Sequence, residues 1–389
     1  MKFTPCAVSV DEKHTLAGNK RGVHLSLSLE RLQALCEREP IRIGLSATQK
    51  PLERIAAYLG GLRYDAVLDR HTPRPVTIVD VGSKKPLEVR VQSPVQEWSN
   101  LPDATVWPLL IDRLYELIRS NRTTLVFVNM RAQTEKIARL LNEKHRAATG
   151  DPKAVLAPAH HGSISREMRC TIEARLKSGK IPAVIATASL ELGIDIGSID
   201  LVVQVQSPTG VSAALQRIGR SGHALDSRSR GVVIPLFQAD LDDCLALTEA
   251  MIERDIEETT IPENALDVLA QQIVAEVAMH PRSRIELFRI FRGSYCYRRL
   301  SEAAFNQVID MLAGRFGHLE LRALAPRLTW DRVNDMLIAR KGARLTAVRN
   351  GGTIADRGYY GVHLEGAGTR LGEVEEEFVF ESKVGDIFF

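Results

Sequence analysis

Apolar and polar positions alternate along this chain in blocks that read as strands and helices. The run Pro5 to Val10 is apolar and stops at two acids, and the next strongly apolar run, Ile41 to Leu45, stops at Ser46-Ala47-Thr48. Between them Leu25, Leu29, Leu32 and Leu35 recur at spacings of three and four, as one face of a helix does. The pattern predicts strand, helix, strand, with polar residues at the carboxyl end of each strand, the edge where open parallel sheets bind ligands. Val76 to Val95 reads as extended and leads out of this first unit. A second alternation follows: helix Trp107 to Arg119, strand Thr124 to Val128, helix Gln133 to Asn142, strand Ala154 to Ala157, helix Arg166 to Ser178, strand Ala183 to Ala186, strand Leu201 to Gln204, helix Ala213 to Arg220 and strand Gly231 to Leu236. Repeated strand and helix predict a parallel sheet covered on both faces.

After Phe237 the apolar spacing turns helical, through Leu241 to Ile252, Leu266 to Val277, Ile285 to Ile290 and Ala303 to Leu312, which predicts a small helical domain. From about Arg340, glycines punctuate short apolar segments such as Phe378-Val379-Phe380, the pattern of a β-rich module. That module ends on Ile387-Phe388-Phe389, so the expectation is that it continues beyond the chain.

Composition narrows the class. A length of 389 residues predicts two or three compact units, and 44% hydrophobic with 25% charged residues is a globular balance. No apolar run approaches the roughly 20 residues of a membrane span. The amino terminus lacks the layout of a secretory signal. The net charge of +3 does not by itself point to a polyanionic partner. The five cysteines are scattered without a C-x-x-C pair, which argues against structural zinc and disulfides and for a reducing, cytoplasmic setting. Nothing in the sequence specifies an oligomeric state.

The candidate chemistry sits at strand ends. Asp11-Glu12, after the first strand, are the paired acids that Mg²⁺-dependent phosphoryl transfer needs: Asp11 to hold the metal through water, Glu12 to orient the attacking water. A helix-starting or solvated acidic pair reads the same way in isolation. Ser46 and Thr48 read either as an N-cap before the helix Leu52 to Leu59 or as a hydroxyl turn coupling nucleotide state to the neighbouring domain. In Gln216-Arg217-Ile218-Gly219-Arg220-Ser221-Gly222-His223 two arginines three apart share a helix face, placed either to reach a γ-phosphate or to make surface ion pairs. Upstream, Thr187 ends a strand and Gly193 and Asp195 follow in a turn: Thr187 to donate to a phosphate, Asp195 to orient a ribose or the finger helix. Asn129 and Arg131 follow another strand. Gly162 and Ser163, after His160-His161, read as a loop touching a backbone phosphate; adjacent histidines point apart and a third ligand is not evident, so zinc is not expected.

Taken together, DEKH, LSAT, VFVN, HHGSIS, IATASLELGID and QRIGRSGH occur in the order and at spacings similar to motifs II to VI of superfamily 2 helicases of DEAD/DEAH-box type. GNKRGVHLSLSLERL and ENALDVLAQQIVAE add a resemblance to the large helicase-related (Lhr) family that covers nearly the whole chain. The resemblance implies an α/β fold: a partial first RecA-like domain at 1–95, a second at 96–240, a winged-helix domain at 258–335 and the start of a β-rich domain at 336–389. It implies ATP and Mg²⁺ as cofactors, ATP lying between the RecA-like domains, and tracking and unwinding of nucleic acid, single-stranded DNA foremost, in DNA repair. By this mapping Asp11, His14, Gly193, Asp195, Gln216, Arg217 and Arg220 contact nucleotide, and Asn129, Arg131, Gly162, Ser163 and Thr187 contact the strand. Two positions depart from the pattern. Lys13 stands where the family has an apolar residue, and His223 where many superfamily members have arginine, which puts the finger role on Arg220 and Arg217. No G-x-x-x-x-G-K-[ST] run occurs in the chain, so the chain by itself is expected to bind ATP poorly and hydrolyse almost none. A nucleotide-independent binding module or an inactive fragment is the alternative.

In the winged helix, Arg282, Arg284, Arg289, Arg292, Arg298 and Arg299 surround Phe288, Phe291, Tyr295 and Tyr297, as either a strand-tracking surface or a helical core with solvated arginines. Trp330 is expected to pack at a domain junction in preference to stacking on a base.

Overall fold

The computed structural model describes residues 7–11, 16–46, 49–80, 85–98, 103–191, 196–222, 228–315, 325–354, 359–363, 370–375 and 379. In chain order the first stretch holds β1 (Ala7–Val10), α1 (Lys20–Leu35), β2 (Ile41–Gly44), α2 (Leu52–Gly60), β3 (Leu62–Asp65) and β4 (Arg70–Pro73). Next come β5 (Leu87–Val91), α3 (Asp103–Arg119), β6 (Thr124–Phe127), α4 (Arg131–Thr149), β7 (Ala159–His160), α5 (Arg166–Lys177), β8 (Ala183–Ala186), β9 (Leu201–Val205), α6 (Val211–Ile218), β10 (Ser229–Ile234) and α7 (Ala239–Glu253). Then follow α8 (Leu266–Val277), β11 (Arg282–Ser283), α9 (Arg284–Arg292), α10 (Glu302–Leu312), β12 (Leu328–Asp331), β13 (Met336–Ala339), α11 (Ala343–Arg349) and the hairpin strands β14 (Tyr359–His363) and β15 (Arg370–Glu375). By contacts the chain divides into two compact units: 1–80 with 258–358, and 81–257 with 359–389.

In the second unit β5, β10, β9, β6, β8 and β7 form, in that order, one six-stranded sheet whose pairings are all parallel. Its central strands are apolar on both faces because helices cover both. Val126, Ile185 and Val203 pack with α3 and α4 on one side, while Leu125, Val184 and Val202 pack with α5 and α6 on the other. This is the RecA-like parallel sheet expected from the sequence. Three details differ. Leu87–Val91 pairs with β10, so the chain enters this sheet ahead of residue 95, where the reading of the motifs ended the first domain. The strand expected at Ala154 to Ala157 is absent: the amides of Leu156 and Ala157 donate to Oδ1 of the buried Asn142, which takes the place of a neighbouring strand, and pairing begins only at Ala159. α4 also runs past Asn142 to a left-handed C-cap at Gly150, because good helix formers continue it on its solvent side.

The first unit joins both ends of its sequence in one core. β1 and β2 pair in parallel, Val8 and Val10 packing with Leu25 and Leu29 of α1 and Leu59 of α2, while Ile41, Ile43 and Leu45 of the other face are exposed. The opposite side of α1, with Val23 and Leu27, and Ile55 and Tyr58 of α2 enter a larger cluster built by Leu269 and Ile273 of α8, Phe291 of α9 and Phe305 of α10. Polar contacts reinforce this seam. Arg31 donates to Glu276 at 2.7 Å and to Gln272 at 2.7 Å, and the buried Glu30 is paired by Arg42 at 2.7 Å and Arg74 at 3.1 Å. β3 and β4 form a hairpin that the sequence pattern did not reveal; it is fixed to α9 through Leu62 N–H donating to the Gly293 carbonyl at 2.6 Å and His71 Nε2 meeting the Arg289 carbonyl at 2.8 Å.

Phe288, Phe291 and Tyr297 are buried, and Arg282, Arg284 and Arg298 are held by Glu276, Asp335 with Glu302, and Glu263. The aromatics thus form the helical core, while these three arginines are paired with carboxylates where the core reading had them solvated. Trp330 packs against the same cluster, its indole N–H donating to Asp335 at 3.1 Å and its ring meeting the guanidinium groups of Arg284 and Arg332. β11, β12 and β13 supply a three-stranded antiparallel wing that the helical spacing did not announce.

Candidate nucleotide and nucleic-acid site

In the first unit the end of β1 places Asp11 in solvent, and the end of β2 places Ser46 there too. Val10 and Gly44 are register partners and Leu45 N–H donates to the Val10 carbonyl at 3.0 Å, so Asp11 and Ser46 leave neighbouring strands at one edge. Asp11 does not start a helix and Ser46 does not cap one, while the exposure of Asp11 agrees with the solvated reading. α1 is capped by Asn19, whose side chain accepts from the amides of Arg21 and Gly22, and α2 begins at Pro51 without a side-chain cap. Glu12, Lys13, His14 and Thr48 lie outside the described residues. Among the described residues no group of three or more His, Cys, Asp or Glu is placed to hold a metal ion.

In the second unit the carboxyl ends of β6, β7, β8 and β9 form a continuous polar edge. Thr187 follows β8 directly, half-buried, its amide donating to the His160 carbonyl at 3.3 Å. Arg131 opens α4 and its Nη1 donates to Ser163 Oγ at 3.0 Å, so two residues expected to touch a strand are joined to each other across β6 and β7. Gly162 is exposed, with open space where a side chain would stand. Asn129 works inward: its amide Nδ2 donates to the Ser207 carbonyl at 2.7 Å, and its Oδ1 accepts from Arg217 at 3.4 Å. The two histidines face different acids, His160 meeting Glu173 at 3.0 Å and Ser189 at 2.8 Å, His161 meeting Glu135 at 2.7 Å. Burial holds the His160 imidazole below its ordinary pKa, against the pull of Glu173.

The arginine pair is arranged differently from its helical spacing. α6 ends at Ile218, so Arg217 lies on its last turn and Arg220 in the turn beyond. Both converge on Glu191. Arg217, 5% exposed, donates Nε to the Glu191 carboxylate at 2.9 Å and Nη1 to Gln204 Oε1 at 2.9 Å, over the ring of Phe127. Arg220 is half-buried and donates Nε at 3.0 Å and Nη2 at 2.5 Å to the Glu191 backbone carbonyl. Gln216 is half-buried and reaches back one turn to Ser212 at 3.3 Å. Gly193, Asp195 and His223 lie outside the described residues. Sequence reasoning missed Glu191 and Gln204, which hold the arginine segment; an acid four residues after Thr187 in the strand-ending segment was the available signal for Glu191.

Comparison with known proteins extends the picture. Residues 249–389 match the family described as large helicase-related protein, winged helix domain, and residues 109–224 match the helicase conserved C-terminal domain. The chain is 39% identical over 98% of its length to the Lhr helicase/probable uracil glycosylase of Mycolicibacterium smegmatis, of which that covers 26%. It is 42% identical, again over 98%, to the ATP-dependent helicase Lhr-Core of Methanothermobacter thermautotrophicus, covering 43% of that protein. The structure of Mycobacterium smegmatis helicase Lhr bound to ssDNA and AMP-PNP superposes with a TM-score of 0.82 at 42% identity, over 92% of this chain and 44% of that one. The DUF1998 helicase MrfA bound to DNA shares the fold, with a TM-score of 0.64 at 19% identity over 96% of this chain and 48% of that one. The chain thus spans between about a quarter and two fifths of the curated relatives described here.

Proposed function

We propose, on the premise that this chain belongs to the large helicase-related family, that it supplies the strand-gripping and arginine-finger parts of an ATP-driven motor acting on single-stranded DNA. The carboxyl edge of the six-stranded sheet carries the reading. It gathers Arg131, Ser163, Gly162 and Thr187 on one rim and anchors Arg217 and Arg220 to Glu191 beside it. Hydroxyls, an arginine and an exposed glycine are groups that hold a phosphate backbone without reading bases.

Within the finger segment the two arginines take different tasks in this proposal. Arg217 is buried and bonded to Glu191, Gln204 and Asn129, so it positions the segment; Arg220 gives up two bonds to one carbonyl and reaches the γ-phosphate, stabilising charge as the phosphoryl group transfers. Asp11 is an exposed carboxylate following the first strand, which fits contact through water with a Mg²⁺ ion held mainly by triphosphate. Bound there, the ion would neutralise phosphate charge; Glu12 would orient the attacking water, and Ser46 and Thr48 would relay the state of the site. His14, Gly193, Asp195 and Gln216 complete the proposed nucleotide contacts, and Asn129 joins the strand edge to the finger helix. The segment boundaries read from the motifs are kept, with Leu87–Val91 assigned to the second RecA-like segment.

The test is fluorescence anisotropy of labelled oligo-dT with the full chain at several salt concentrations. Arg131→Ala is expected to weaken binding and lower the log–log salt slope by about 0.7, one phosphate contact on a single strand. An unchanged slope removes the sheet edge from the strand site. The chain has no G-x-x-x-x-G-K-[ST] run, and this favours a second reading for the chain tested alone, binding without a nucleotide cycle. In that case AMP-PNP leaves the affinity for oligo-dT unchanged.

A further inference from the structure

The arginines of the first unit are largely paired: Arg31, Arg42, Arg74, Arg282, Arg284 and Arg298 each sit on a carboxylate. The stretch after β13 breaks this habit. From Met336 to Ala355 the sequence has no acidic residue and carries Arg340, Lys341, Arg344 and Arg349. All four are exposed, and among the described residues none of them lies within ion-pair distance of a carboxylate.

The stretch is nonetheless firmly mounted. Ala343 is buried and Ala347 packs on the winged-helix core, Thr346 accepts from Arg327 at 3.3 Å, and Gln271 of α8 donates to the Asn350 carbonyl at 2.5 Å and to that of Gly352 at 2.6 Å. With residues 343, 346 and 347 turned inward, helical geometry puts Arg344 above Val348 and Leu345 above Arg349 on the outer face. Leu345 is 56% and Val348 74% exposed. Four like charges within ten residues repel each other, a cost that a bound polyanion relieves. The mixture of guanidinium and aliphatic groups suits a ligand that offers phosphates beside apolar sugar and base edges.

We propose that the outer face of α11, with the Arg340-Lys341 turn before it, is a phosphate-backbone contact for nucleic acid, carried by the unit that does not hold the six-stranded sheet. It rests on the reading that nucleic acid is this chain's ligand. It adds a grip that neither the motifs nor the sheet edge supply.

The test uses the full chain, oligo-dT anisotropy across a salt series, and the combined variant Arg340→Gln/Lys341→Gln/Arg344→Gln/Arg349→Gln, with Arg131→Ala in parallel. Four lost contacts at about 0.7 each predict a slope lower by about 3 and, at low salt, at least a tenfold loss of affinity. Replacement of the three arginines by lysine is expected to keep the slope. A slope unchanged in the fourfold variant while Arg131→Ala lowers it overturns this inference and leaves the sheet edge standing; the reverse result upholds α11 and removes the sheet edge. Competition by polyglutamate as effective as by oligo-dT of equal charge also overturns it, since the face would then serve an acidic protein. If the fourfold variant melts early, Arg344→Gln/Arg349→Gln alone gives the same readout, with an expected fall of about 1.4.

Discussion

The contact between Arg217 and Glu191 offers the most direct test of how the proposed finger segment is held. The guanidinium side chain is 6% exposed and the carboxylate 14%, and their hydrogen bond measures 2.9 Å. Glu191→Leu leaves a buried cation with only the neutral acceptors Gln204 and Asn129. Breaking a buried pair by removing one partner costs about 3–5 kcal/mol, and the remaining acceptors put this case near the lower figure. For a unit of this size each kcal/mol moves the melting temperature by about 2–4 °C, so the transition of the six-stranded unit should fall by about 6–12 °C in differential scanning calorimetry. Arg217→Met should cost a similar amount. The double change Glu191→Leu/Arg217→Met places apolar side chains of comparable volume where the pair was, and should recover to within about 1 kcal/mol of the parent. If the two single losses simply add in the double variant, the residues are not coupled and the positioning role given to Arg217 is wrong.

Three further outcomes follow from the same structure. Joined to the amino-terminal P-loop segment of an Lhr relative, the chain should show strand-stimulated ATP hydrolysis that Arg220→Ala lowers by about 10³-fold with oligo-dT affinity retained; turnover within threefold of the parent would exclude the finger role. Gly61→Ala should destabilise the first unit by about 1–3 kcal/mol, read by urea titration, because residue 61 has φ +62° and a Cβ there would stand 2.6 Å from both the Gly293 carbonyl and Glu30 Oε1. Burial holds the His71 imidazole below its ordinary pKa, so its neutral form favours the fold. That contribution is present above the unfolded value of about 6.5 and is lost as the pH falls below it, and His71→Gln should flatten the acid limb of the stability curve; an identical limb in both proteins refutes it.

Much of the α/β alternation was legible because buried parallel strands write continuous apolar runs: Leu125-Val126-Phe127 and Val184-Ile185-Ala186 were placed within a residue. What escaped lacks such a signature. Leu87–Val91 fell inside the stretch read as extended, but its membership of the second sheet did not show, because it sits at the edge and mixes charge with β-branched residues; the hairpin at 62–73 carries Arg63, Asp65 and Arg70 on a solvated surface. Asn129, Arg131 and Thr187 could be placed at strand ends from the apolar runs, and Ser163 in the loop after the histidines, but the contacts each makes could not. Glu191 and Gln204 are far from Arg217 in sequence, and only the fold joins them.

The sharing of one core by α1, α2 and the winged helix has a practical consequence for anyone dividing this protein. A cut just before residue 258 separates Val23, Leu27 and Tyr58 from Leu269, Phe291 and Phe305, leaving each fragment with a greasy half-surface and the acids and arginines of the seam stranded. Boundaries drawn at helicase motifs therefore differ from boundaries at which a piece folds. A soluble sub-fragment of the first unit needs both remote stretches of sequence, and chimaeras with relatives should exchange them together.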